Sequence, residues 1–414
     1  MIFRRSRALP RLGRQFRVLA WCEAASTVGD QLAKIGVATL VFEQTRSTMA
    51  AAVAFASTYL PALVAGPVLS PLADRYPRRA VMVVCALVQA LAAAAMVLPG
   101  IGVAGIAALV VVIAAATAPF RVAQAIVVDL AVPLERRSIA QGRIGIVREV
   151  GQLAGLAVAA VVVSLVGPVW ALLQNAGSFL VIAVAMAALL DGYPAPASPP
   201  RTRSGQSWSG WREVWRTRDL RRLNGLMFIG ALAVAPESIM VPLVAESGAP
   251  SWSVGALMAA DVVGFLVGVA LLERVRSEGT RVRLVGPMLV VSLAPLVLFA
   301  FRPGAVVMAV VLLIGGVGAA YLPTVRTLVL RVAEPDHHAR ASGWTRTSMR
   351  AGQGIAVLAV GGLAEVLSSA ALAVGALSAV GTAAAIAWSF QASAAASASR
   401  RGGGHPMGAG PRAG

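Results

Sequence analysis

The sequence predicts an all-helical protein that crosses a bilayer twelve times, as two sets of six helices joined by a polar linker. Three observations predict it. Of 414 residues, 58% are hydrophobic and 13% are charged, against roughly 25% charged in an average soluble domain. A soluble chain this apolar would lack the polar surface to cover its cores, whereas helices facing lipid need none. Apolar runs of spanning length recur along the chain, and the arginines between them fall on alternate sides.

At ~20 residues per span, twelve spans need roughly 240 residues, which the length accommodates. The first run, about 16–42, follows Arg4, Arg5 and Arg7 and so mimics a signal peptide. It is far longer than such a segment, which has an apolar core of about 7–15 residues, and it contains Glu23, Asp30 and Lys34, so it reads as a retained helix. Runs at 49–72 and 80–98 bracket the charged loop Leu72–Arg79. Pro99–Gly100 opens the run 101–128, and Gly167–Pro168 separates 141–166 from 168–190. Asp191–Leu220 is rich in proline, serine and arginine and reads as a linker. Within it, Trp208, Trp211 and Trp215 suit an amphipathic helix at the membrane surface. The second half offers 222–245, 252–272, 284–301, 303–330, 342–366 and 369–390, and the Gly- and Pro-rich end reads as disordered. The expected division is therefore 1–190 for the first bundle with its basic arm, 191–221 for the linker, 222–390 for the second bundle and 391–414 for a tail.

A net charge of +18 would suit a nucleic-acid binder, but its placement argues otherwise. Arginines crowd the N-terminal arm, the 72–79 loop and the linker. The loops of the opposite side hold Arg46 and Arg302. The positive-inside rule then puts both termini and the linker in the cytoplasm of a multi-pass protein of the cell membrane. Cys22 and Cys85 both lie inside apolar runs and read as buried thiols rather than a disulfide.

The loop Leu72-Ala73-Asp74-Arg75-Tyr76-Pro77-Arg78-Arg79 resembles the signature of the major facilitator superfamily, G-x-L-A-D-R-x-G-R-R, between its second and third helices. Ser70 and Pro77 stand where that pattern has glycines. A repeat agrees with the resemblance: Pro133–Gln152 is similar to Pro335–Gln353, with Arg148 and Arg350 each fifteen residues past its proline. The resemblance implies two six-helix bundles related by a pseudo-two-fold axis along the membrane normal. It also implies a monomer that works by alternating access. Val28-Gly29-Asp30, with Gly151 and Gly155, is similar to the drug, siderophore and macrolide exporter branch, which implies efflux driven by proton entry. Arg121 and Gln124-Ala125 partly resemble that superfamily's Arg-x-x-Gln-Gly motif, held to assist proton transfer. The resemblance further makes Asp74, Arg75, Arg78 and Arg79 a latch on the cytoplasmic side. A carboxylate at Asp74 would also suit the start of the third helix. The small Gly151 and Gly155 are explained equally well by close helix packing.

Ionisable groups at membrane depth cost roughly 2.5–3.5 kcal/mol each on insertion scales, so they should face a wet cavity or a partner. Glu23, Thr27, Asp30 and Lys34 follow helical spacing and form one polar stripe on the first helix. Asp30 and Lys34 can pair, either as a packing device or with Asp30 as the proton-carrying carboxylate. Arg121, Arg148, Glu237 and Arg350 are the further cavity candidates, with Asp261, Arg326 and Arg346 behind them. Arg148 and Glu149 point about 100° apart, and Arg148 is the better cavity residue. A surplus of cavity arginines would favour anionic or polar cargo. No metal site, cofactor or catalytic constellation is expected. His337, His338 and His405 lie in a loop and the tail, and Lys34 has no glycine-rich loop before it to bind nucleotide. The expected partners are a small-molecule cargo, protons and lipid. Export is the first reading; import or uniport of a polar solute, or a silent membrane sensor on the same fold, are the alternatives.

Overall fold

The computed structural model describes residues 13–59, 69, 72–133, 136–191, 217–332 and 338–402, and these are almost entirely helical. In the first half run α1 (Arg14–Thr45), α2 (Thr48–Ala56 as described), a single turn at Leu72–Arg75, α3 (Arg78–Ala95), α4 (Val103–Leu130), α5 (Arg137–Val166) and α6 (Pro168–Leu189). In the second half, α7 is broken into Arg218–Gly230, Ala231–Val234, Ala235–Ser238 and Met240–Glu246. It is followed by α8 (Ser253–Arg274) and α9 (Glu278–Leu293, extended by the tighter Ala294–Phe301). Then come α10 (Ala305–Ala319 and Leu322–Val332), α11 (His338–Leu367) and α12 (Ala370–Gly402).

Among the described residues, nine helices are long and apolar enough to cross a membrane, or ten if bent α7 counts as one span. Outward-facing Leu91, 72% exposed, and Val306, 79% exposed, belong to an apolar surface that only lipid can cover.

Three expectations need correction. The run 222–245 is not one straight helix: Pro236 and Pro242 withhold backbone donors, and α7 bends by 51° at Ile239. Helix α7 also begins at Arg218, inside the stretch read as linker. Residues 391–402, read as disordered, continue α12, because Gln391–Ser399 is dominated by alanine, the best helix former. The tryptophan stripe at 208–215 lies outside the described residues.

The packing repeats between halves. In the first bundle α1 lies against α5, α3 against α4, and α3 against α6; in the second, α7 lies against α11, α9 against α10, and α9 against α12. The bundles meet through α2 with α11 and α5 with α8, each the counterpart of the other under the pseudo-two-fold operation. This interface is confined to one end. At the face opposite the termini, Leu32, Ile35 and Phe55 share a core with Met240, Leu257 and Val357. Toward the termini the cores separate, into Phe16, Met82, Phe120 and Ile144 in one bundle and Leu220, Leu289, Tyr321 and Val325 in the other. Among the described residues the bundles are therefore sealed at the far face and parted at the terminal face.

The glycines of α5 set the closeness of α1. A Cβ on Gly155 would stand 2.8 Å from Val28 Cα, and one on Gly151 3.1 Å from Thr27 Cβ. Both glycines thus act in helix packing. Gly155→Val is expected to cost at least 1–3 kcal/mol through overpacking. Thermal unfolding in detergent checks this; an unchanged midpoint would mean α1 can move away freely.

Candidate functional site

Helical spacing puts the polar stripe of α1 on the side facing the other helices, and two environments divide it. Near the terminal end the stripe is covered by α4 and α5. Glu23 is 1% exposed there, and Thr27 donates to the Glu23 carbonyl at 2.6 Å. Farther along, Asp30 and Lys34 open onto the space between the bundles, and Asp30 is 28% exposed.

Glu23 is the hub of a four-residue clamp. Its Oε1 accepts from Arg121 Nη1 at 2.8 Å and from Arg148 Nε, while Oε2 accepts from Gln124 Nε2 at 2.9 Å. Arg121 and Gln124, three apart on α4, share a helix face, so the Arg-x-x-Gln spacing delivers both donors to one carboxylate. Arg148 reaches the same oxygen from α5. A carboxylate with two guanidinium partners and an amide has little acceptor capacity left, which is what a buried charge requires. The same Arg121 approaches Asp30, with Nη2 at 4.0 Å from Oδ2.

Lys34 does not close onto Asp30; no ion pair joins them among the described residues. Its Nζ lies 5.2 Å from the centroid of the Tyr59 ring, a cation–π contact to the turn after α2. Glu237 in the break of α7 and Asp30 both lie within electrostatic range of Lys34. Arg350 on α11 faces the open space, within electrostatic range of Arg121, Tyr59, Arg346 and Asp30. Asp261 on α8 interacts with Glu237. Of the cavity candidates, Asp30, Lys34, Glu237 and Arg350 thus converge between the bundles, whereas Glu23, Arg121 and Arg148 form the clamp below. Arg326 is exposed on α10, and the Glu149 side chain lies outside the described residues.

Tyr59 carried no sequence signal beyond being one of four tyrosines. Glu237 occupies a proline-flanked break, and such unwinding is tolerated at membrane depth where the backbone lines a cavity. With Ile35, Ala38, Phe55, Met240 and Met258, Glu237 lines a small, mostly apolar recess against the sealed face.

In the 72–79 loop, Arg78 is buried at the start of α3, and Arg79 donates to the Ala187 carbonyl in the last turn of α6. Cations at a helix C-terminus offset its exposed carbonyls. Arg75 is exposed, and the side chain of Asp74 lies outside the described residues.

The family model of the Major Facilitator Superfamily matches residues 19–357, covering both bundles. The chain belongs to the Major Facilitator Superfamily. Facilitator structures align over nearly the whole chain. The nucleoside transporter NupG is 14% identical, with a TM-score of 0.67 over 92% of this chain and 98% of its own. A peptide transporter of the POT family in complex with sulfate is 11% identical, with a TM-score of 0.69 over 91% and 93%. A bacterial homologue of the human lysosomal transporter Spinster, inward-facing and occupied, is 14% identical, with a TM-score of 0.66 over 91% and 96%. At such identities the likeness concerns the fold alone, and no curated protein sequence matches this facilitator. It is thus a multi-pass membrane transporter of the facilitator type, with a small-molecule cargo carried through a lipid bilayer.

Proposed function

We propose that this facilitator exports a small drug-like or secondary-metabolite molecule from the cell in exchange for protons, acting as a monomer by alternating access. The observation that carries the reading is Asp30. It is a carboxylate at membrane depth whose side chain is 28% exposed, with one loose arginine partner at 4.0 Å, beside charges from the other bundle. A proton carrier must gain and lose its proton within one cycle, and the saturated Glu23 cannot exchange donors so easily. Loss of the Asp30 charge would leave Arg121 held by Glu23 alone and weaken the field acting on Lys34 and Arg350, which ties protonation to bundle arrangement.

The arginine distribution supports cytoplasmic termini in the cell membrane. In that orientation the parted terminal face is open to the cytoplasm, the state in which an exporter collects cargo. Asp74, Arg75, Arg78 and Arg79 would latch that face when it closes. Asp74→Asn is then expected to slow turnover several-fold with little change in cargo affinity; equal turnover would remove the latch.

The reading is tested in proteoliposomes carrying an imposed pH gradient, by following proton flux while candidate compounds are added. Compound-dependent flux that dissipates the gradient supports exchange. Cargo movement with no accompanying proton flux would replace it with uniport, and Asp30 would then serve only as a partner of Arg121.

A further inference from the structure

The sealed face carries a polar contact between bundles that none of the roles above uses. Glu365, in the last turn of α11, accepts at Oε1 from Ser47 Oγ at 2.6 Å and from the Met49 N–H at 3.3 Å. Ser47 is itself the N-cap of α2, accepting from the Ala50 N–H at 3.1 Å. A carboxylate of the second bundle therefore completes the N-terminal cap of a helix in the first. The first N–H groups of a helix have no partner within it, and its positive dipole end favours an anion.

The backbones beside this contact are also unusually close. A Cβ on Gly361, one turn before Glu365, would lie 3.1 Å from Met49 Sδ and 3.4 Å from Met49 Cα. The neighbouring carboxylate Glu246 bonds Arg302 at 3.3 Å and the Ala371 N–H at 3.1 Å. Both partners belong to its own bundle, so rocking leaves that contact intact. The Glu365 contact must break whenever the far face opens.

We propose that Glu365 is a gating residue of the transport cycle, whose clasp on Ser47 and the α2 N-terminus holds the far face shut and sets the population of the far-open state. The side chain is exposed, so the clasp can form and break without burying or stranding a charge. Bonds from a carboxylate to neutral donors, once lost, shift such a balance by on the order of tenfold.

The test uses the full-length protein with Cys22 and Cys85 replaced by serine and spin labels placed by Leu98→Cys and Trp252→Cys. These are exposed sites on the two bundles at the far face. Distances between the labels are measured by pulsed dipolar spectroscopy in lipid nanodiscs. Glu365→Ala should enlarge the long-distance, far-open population about tenfold. Glu365→Gln, which keeps an acceptor but loses the charge, should fall between Glu365→Ala and wild type. Distributions identical to wild type in both variants would overturn the proposal. Should Glu365→Ala fail to fold, Glu365→Gln alone decides. The proposal rests on the alternating-access reading but not on proton coupling, so absent proton flux would leave it standing.

Discussion

Replacing Glu23 by alanine is expected to be the most damaging single change to the stability of this transporter. The carboxylate is 1% exposed and takes donors from Arg121, Arg148 and Gln124. Its removal takes the shared carboxylate away from two guanidinium groups, 26% and 23% exposed, within the first bundle. Breaking one side of a buried ion pair costs about 3–5 kcal/mol, because the partner charge stays behind without compensation. Surplus positive charge would also sit where α1, α4 and α5 must pack. Thermal unfolding in detergent should show a fall of the order of 10 °C in midpoint, with poor yield of folded protein. The double variant Glu23→Gln/Arg148→Gln should recover part of the loss, since it removes one of the two positive charges together with the carboxylate. A single variant as stable as wild type would mean that water already solvates both arginines, and the clamp would not be structural.

The second large effect is functional. Asp30→Asn should fold normally, because Asp30 is partly exposed and its closest cationic group lies 4.0 Å away. It should nevertheless lose pH-driven transport down to the level of protein-free liposomes. An amide keeps the shape of the carboxylate but cannot carry a proton through the cycle. Cargo exchange without a gradient should persist, since that process needs bundle motion but no proton transfer. Full pH-driven transport by well-folded Asp30→Asn would move the proton site elsewhere, with Glu237 and Asp261 next to be tested. The same variant also separates Asp30 from Glu23 experimentally: one should lose coupling while keeping stability, the other should lose stability first.

The contrast between these two carboxylates was invisible in the sequence. Both lie seven residues apart on one stripe of α1, and helical periodicity treats them alike. What separates them is which helix covers which turn: α4 and α5 close over Glu23 and leave Asp30 uncovered. The pairing of Lys34 had the same limit. Spacing of i, i+4 allowed it to meet Asp30, but the lysine lies over the Tyr59 ring, within electrostatic range of Glu237. Those groups lie outside α1, and no local pattern encodes them. The Arg-x-x-Gln motif was legible as a motif, yet its common acceptor was not, since the contact spans about a hundred residues of chain.

By itself the sequence determined the helical membrane class, the two-bundle repeat, the positions of most helices and the family. Each of these follows from local quantities: hydropathy over ~20 residues, the loop pattern at 72–79, and the repeat around Arg148 and Arg350. The break in α7 was partly readable from Pro236 and Pro242. The tertiary structure alone decided that, among the described residues, the far face is sealed while the terminal face is parted, that Glu23 is locked and Asp30 is partly exposed, and that Glu365 caps a helix of the opposite bundle. The physical reason is common to all three. Each depends on how two nearly symmetric rigid bundles lean against one another, and that balance lies in long-range contacts rather than in the preferences of any one segment.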